Sequence, residues 1–109
     1  MNAFMEVEVE LKKESHIEIK FIPCKACRLY WLKVIGDITE CNLVSWEINE
    51  TEQLIGEVIP LSFFLLNHLN LTLSSVSPSS SMILIFENTS SKDKKFTIRP
   101  KTYQDIYTV

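Results

Sequence analysis

The sequence predicts an all-β fold, an antiparallel β-sandwich or jelly roll of about eight strands, and three observations carry that prediction. Apolar and polar residues alternate with a period of two in three separate segments. Polar turn signals recur at intervals of about ten residues. No segment carries a long helical period, so the crossover helices that a parallel sheet needs are missing.

Met5, Val7, Val9 and Leu11 alternate with Glu6, Glu8, Glu10 and Lys12, the pattern of a strand with one wet face. Ile17, Ile19 and Phe21 repeat it against Glu18 and Lys20 after the polar stretch Lys12 to Ser15, so the two segments read as a hairpin or as neighbouring strands. Pro23 ends the second strand, because it lacks the N–H that a central ladder needs. Arg28 to Ile38, rich in aromatic and β-branched residues, is the third strand, with Gly36-Asp37 a turn signal near its end. Leu43 to Ile48 is the fourth, with Val44, Trp46 and Ile48 on one face and Asn49 to Glu52 as the turn after it. Leu54 to Ile59 is the fifth.

The apolar run Leu61 to Leu73 is read as a loop or helical turn at Ser62 to His68 followed by a strand at Leu69 to Leu73. Residues 74–81, SSVSPSSS, offer little apolar area to offset the entropy of ordering them and are expected to form a mobile loop. Met82 to Glu87 is the most apolar strand; Phe96 to Arg99 answers it as a hairpin partner and Pro100 ends that partner. Tyr103 to Val109 forms a last strand. The expected core includes Val7, Val9, Ile17, Ile19, Leu32, Trp46, Ile83, Ile85, Phe96 and Ile98.

All of this fits one sandwich domain over residues 1–109, a length sufficient to close a core. At 46% hydrophobic and 23% charged, with two Gly and four Pro, the composition is not that of a disordered or collagen-like chain. No apolar run approaches the ~18 residues of a membrane span, and the charged alternation of the N-terminus is not a signal peptide, so a soluble domain without membrane contact is expected. The net charge of −3 argues against direct nucleic-acid binding, which needs clustered Lys and Arg. The charge is uneven: residues 1–57 hold eleven acidic and six basic side chains, and residues 58–109 hold three and five. An acidic first half solvates strand faces and attracts basic partners.

Chemistry-bearing patterns are few. Cys24-x-x-Cys27 could begin a zinc site, but the third thiol, Cys41, and both histidines, His16 and His68, are scattered where strong sites have a second close pair. The three cysteines are therefore expected to be reduced thiols holding no metal, and no cofactor is expected. Without a βαβ setting, Cys24 and Cys27 do not read as a redox pair. No Gly-flanked nucleophile, HExxH motif or Gly-rich phosphate loop occurs, so the chain is not read as an enzyme. Glu6, Glu8 and Glu10 form a row on one strand face, a solvated surface first and a basic-partner surface second. Glu47, Glu50, Glu52 and Glu57 cluster around one predicted turn and are the best candidates for contact with a basic partner. Asn49-Glu50-Thr51, Asn70-Leu71-Thr72 and Asn88-Thr89-Ser90 fit the N-glycosylation acceptor.

Taken in order, several segments resemble the nucleoplasmin-like domain. Phe4 to Val7 stands where that family opens with a Phe-Trp-Gly-Val-like strand, with Met5 and Glu6 in place of Trp-Gly. Leu29 to Gly36 is similar to its L-x-L…G strand, Gln53 to Val58 to its short strand before a proline-containing link, and Leu69 to Leu73 with Met82 to Phe86 to its last long pair. Phe96-Thr97-Ile98 stands as the closing strand; the glycine-rich turn before it and the acidic tract of the family are absent from this sequence. The resemblance implies a jelly roll that assembles as a pentamer, a histone-chaperone core with a nuclear location, and histones or another basic protein as partner. Self-association is also expected on physical grounds, since Arg28 to Ile38 and Pro60 to Leu73 together exceed what one small interior hides. The alternative reading, favoured by the Asn acceptors, is an immunoglobulin-like structural or adhesion sandwich, secreted or viral.

Overall fold

The computed structural model describes residues 6–54, 56–66, 74–76 and 81–103. Nine strands run through them: β1 (Val7–Leu11), β2 (Ser15–Phe21), β3 (Cys27–Gly36), β4 (Cys41–Ile48), β5 (Thr51–Glu52), β6 (Ile59–Pro60), β7 (Ser74–Val76), β8 (Met82–Asn88) and β9 (Lys94–Tyr103). A single helical turn, α1 (Phe63–Leu66), lies between β6 and β7. The strands form two antiparallel sheets, one in the order β1-β9-β3-β7 and the other β2-β8-β4-β5, with β6 also on β4. The fold is thus the all-β sandwich that the alternation predicts.

The connectivity is that of a jelly roll. The chain crosses between sheets after β1, β2 and β3, and the pairs β1–β9, β2–β8 and β3–β7 nest inside one another like the rungs of one long, rolled-up hairpin. Two expectations fail for this reason. The first two strands are not a hairpin, because β1 and β2 lie in different sheets, and β9 does not answer β8 for the same reason.

The core is built from one row of each strand. Val9, Leu11, Leu29, Leu32, Val34, Phe96 and Ile98 of the first sheet meet Phe21, Leu43, Trp46, Ile48, Met82, Leu84 and Phe86 of the second, all buried. Each such side chain contributes about 1.5–3 kcal/mol by leaving water. Phe86 and Phe96, one from each sheet, pack edge to face at 5.7 Å between ring centroids. Of the expected core, Val9, Leu32, Trp46, Phe96 and Ile98 are buried, and Val7, Ile17 and Ile19 are half-buried against it. Ile83 and Ile85 are corrections: Met82, Leu84 and Phe86 take the inner row of β8, and the two isoleucines fall on the outer face. The expected face Val44-Trp46-Ile48 is also revised. A bulge between Leu43 and Ser45 shifts the parity, so Leu43 and Trp46 both point inward although they are three apart.

Other local expectations meet the structure unevenly. In place of one strand from Leu54 to Ile59 there are two-residue strands on either side of a turn, closed by the Glu57 N–H donating to Leu54 O and by Gly56 at φ +77°. Thr51 and Glu52, assigned to a turn, pair with β4 instead. Part of the expected mobile loop is a strand, since Ser74–Val76 pair with Cys27–Leu29. Pro100 does not end β9; it sits opposite Leu32, beyond the stretch of β9 that pairs with the described part of β1, where a missing N–H costs little. Strands expected at Leu69 to Leu73 and beyond Tyr103 lie outside the described residues.

Asn88 ends the inner row of β8 and joins the loops at one end of the sandwich. Only 2% exposed, it donates from its amide nitrogen to Leu11 O at 3.2 Å and Lys92 O at 2.8 Å, and accepts from the Ser90 N–H at 2.9 Å. Close by, the Lys13 N–H donates to Asp93 at 2.9 Å and the Glu14 N–H to Ser90 O at 3.3 Å, so the β1–β2 turn is tied to the β8–β9 turn at several points.

Candidate functional site

The two outer faces of the sandwich carry opposite charge, and register explains why. On the first sheet, Glu8 of β1 lies opposite Thr97 and Glu10 opposite Lys95 of β9. Lys95 pairs with Glu8 at 2.7 Å and approaches Glu10 at 4.0 Å, and Arg99 holds Glu6. The carboxylate row read from the sequence is therefore matched by cations of the neighbouring strand. The Glu8 carboxylate in turn raises the pKa of Lys95. Arg28, Lys33 and Lys101 remain beyond these pairs, leaving this face basic.

The outer face of the second sheet is acidic. Register places His16, Glu18 and Lys20 of β2 opposite Glu87, Ile85 and Ile83 of β8, and these opposite Asn42, Ser45 and Glu47 of β4. Glu52 of β5 stands beside Glu47. Four strand carboxylates thus face one lysine, around a centre formed by half-buried Ile83 and Ile85. Asn42 donates to Glu87 at 2.9 Å.

Of the four predicted carboxylates, the register puts Glu47 and Glu52 on this face and Glu50 at the turn that ends it, while Glu57 lies in the β5–β6 connection. Glu47 is half-buried on β4; Glu50 is exposed at the tip of the β4–β5 turn; Glu57 is exposed after Gly56. That tip holds Asn49 at φ +51° and Glu50 at φ +65°, the two left-handed residues of a tight two-residue hairpin. Glu52 is turned back into the fold, accepting from the Ser45 hydroxyl at 2.6 Å, the Trp46 N–H at 2.9 Å and the Leu54 N–H at 3.2 Å. Partial burial opposes its ionisation, yet these hydrogen bonds prevail and hold its pKa below the ordinary carboxylate value. Turning back also relieves the repulsion that two carboxylates directly across a ladder feel. Sequence reasoning missed Glu18 and Glu87, which complete the face. The alternation of β2 exposes Glu18, but nothing local shows that β8 and β4 lie beside it.

The other chemistry-bearing residues stay apart. Cys24 is exposed in the β2–β3 connection, and Cys27 and Cys41 are buried at the starts of β3 and β4; all three are free thiols. Burial, and next the neighbouring Cys24, push the Cys27 thiol pKa up, and burial does the same for Cys41, so neither is activated. Among the described residues no three His, Cys, Asp or Glu side chains are placed to hold a metal ion. His68 and Asn70 lie outside the described residues. Asn49 is exposed, whereas the amide of Asn88 is enclosed and hydrogen-bonded, so a glycan at Asn88 is incompatible with this fold. No helix among the described residues is long and apolar enough to cross a membrane.

Comparison with protein-family models, with curated proteins and with solved structures finds no match for this chain.

Proposed function

We propose that this domain is a non-catalytic binding module that presents the outer face of its second sheet to a basic protein segment. The observation that carries the reading is that face itself: Glu18, Glu47, Glu52 and Glu87 against Lys20, with Glu50 at the adjoining hairpin tip and two isoleucines at the centre. Carboxylates on a rigid sheet attract a Lys- and Arg-rich segment over a Debye length, and the apolar centre favours its aliphatic stems. The jelly-roll connectivity supports the nucleoplasmin-like version, in which the partner is a histone tail and the location nuclear.

A fluorescent Lys/Arg-rich peptide tests the reading. Saturable binding that weakens steeply with salt and is lost in Glu47→Lys is expected; no binding at low salt removes the module reading. The immunoglobulin-like alternative keeps one favourable observation, the exposed acceptor Asn49 at a hairpin tip. A glycan found there on protein from a secreting host would support that alternative.

A further inference from the structure

Among the described residues, β2 is the longest edge strand of the two sheets. β2 spans seven residues and has one neighbour, β8, among the described residues, while β1, β7 and β5 at the other edges span five, three and two. Its inner row is unfinished. Ile17 and Ile19 are half-buried, while the residues opposite them on β8, Phe86 and Leu84, have no exposure at all. A long edge with part of its apolar row open to water is a template for another strand.

We propose that β2 pairs with β2 of a second copy of this chain, antiparallel and with Ile19 opposite Ile19, so that the second sheets of two protomers become one. The charge pattern selects this occupant and this register. Centring the twofold on Ile19 sets Glu18 across from Lys20 of the other copy, twice, on the outer face. It sets Ile17 across from Phe21 and Ile19 across from itself on the inner face. Centring it on Glu18 or Lys20 opposes like charges, and centring it on Ile17 puts Ile19 against Ser15. Cross-strand pairs of opposite charge and of apolar residues are what stabilise an antiparallel ladder, and a self-complementary patch is what a twofold dimer requires. The axis runs perpendicular to the sheet, so the acidic faces of both copies end on the same side. The pairing does not depend on the binding reading above.

Sedimentation equilibrium of the full chain without peptide tests it. The wild type is expected to approach twice the 12.6 kDa chain mass at high micromolar concentration. Glu18→Lys opposes lysines and Lys20→Glu opposes carboxylates, so each variant alone should dimerise about tenfold more weakly. Both changes lie on the outer face, where folding tolerates them, and circular dichroism checks that it does. An equimolar mixture of the two should recover the dimer, because the introduced lysine of one copy then faces the introduced glutamate of the other, and the remaining Lys20 faces the remaining Glu18. The double variant should recover the dimer alone. A monomeric wild type overturns the proposal, as does an assembly indifferent to Glu18→Lys. Loss in both single variants without recovery in their mixture overturns the register. Peptide binding by a monomeric wild type would leave the module reading standing while this one falls.

Discussion

Strands β1 and β2 follow one another in the chain, alternate with the same period and carry glutamates on the same parity, yet the fold treats them differently. Val9 and Leu11 of β1 are each 1% exposed, and the carboxylates beside them are matched by Lys95 and Arg99. Ile17 and Ile19 of β2 are half-buried, and Glu18 and Lys20 form no ion pair among the described residues. The cause is the partner strand. β9 brings cations to the outer side of β1, whereas β8 brings Ile83, Ile85 and Glu87 to the outer side of β2. A period of two fixes that a segment is a strand and which side chains share a face; the environment of each face is set by residues far along the chain, such as Ile98 for Val7 and Ile85 for Glu18.

The largest effect should separate the two strands by burial. Leu11→Ala removes a fully buried side chain between the sheets and is expected to cost about 2–5 kcal/mol, while Ile19→Ala, already half in water, should cost about 1–2 kcal/mol in the monomer. Urea denaturation of dilute protein measures both. Equal losses would mean that the β2 edge is as closed as that of β1, and the case for a strand partner there would weaken.

Next comes the joint between the two strands. Asn88→Ala leaves Leu11 O and Lys92 O without their buried donor and the Ser90 N–H without its acceptor, so a loss of about 1–3 kcal/mol is expected, felt first at the β1 end. Hydrogen exchange of the amides around Leu11 should rise while those of Ile17 to Ile19 hold. A uniform rise would show that the two strands open as one unit.

The β1 side should also respond to pH in its own way. The Lys13 N–H, and then Lys12, hold the Asp93 carboxyl below its ordinary pKa. A depressed carboxyl contributes stability that is present above its unfolded pKa and is lost as pH falls through the folded value, so acid should loosen the β1–β2 turn below the ordinary Asp range. Lys95, whose pKa is raised by Glu8, behaves in the opposite sense: its contribution is complete below the unfolded Lys pKa and is lost as pH rises through the folded one. Asp93→Asn should flatten the acid limb of stability against pH and leave the alkaline limb unchanged. An unchanged acid limb would assign acid sensitivity to the other carboxyls held low, Asp37 by Lys94 and Glu52 by its hydrogen bonds against the opposing effect of partial burial.

How much was legible follows the same division. Strand existence was readable at Val7 to Leu11, His16 to Phe21 and Leu43 to Ile48, because alternation is a local property. Pairing was not, because the jelly roll joins Val7 to Ile98 and Ser15 to Asn88. Parity failed where the signal is degenerate. Met82 to Phe86 is apolar at every position, so nothing in it separates the row Met82-Leu84-Phe86 from Ile83 and Ile85, and the bulge after Leu43 resets the phase without a glycine to mark it. At the candidate site, the turn carrying Glu47, Glu50, Glu52 and Glu57 was visible as a cluster. That Glu52 is engaged by Ser45 and Trp46, and that Glu18 and Glu87 join the face, depends on the strand order.

The smallest expected change in stability is also the most direct test of why β1 and β2 differ. Ile85 lies between Glu18 of β2 and Ser45 of β4, with Glu47 and Glu87 nearby on the same face, much as Lys95 lies among the carboxylates of β1. Ile85→Lys would give the second sheet the cation that β9 supplies to the first. The apolar area lost is partial, because Ile85 is half-exposed and a lysine stem covers much of the same surface. The new cross-strand pair with Glu18 returns about 0.2–1 kcal/mol, so the net change should stay within about 1 kcal/mol. A loss of several kcal/mol would restore Ile85 to the core that the sequence first suggested. Peptide binding should fall far more than stability, since the substitution removes the apolar centre and places a positive charge where the basic segment would lie. Unchanged binding in a folded Ile85→Lys protein would mean that a different surface holds the peptide.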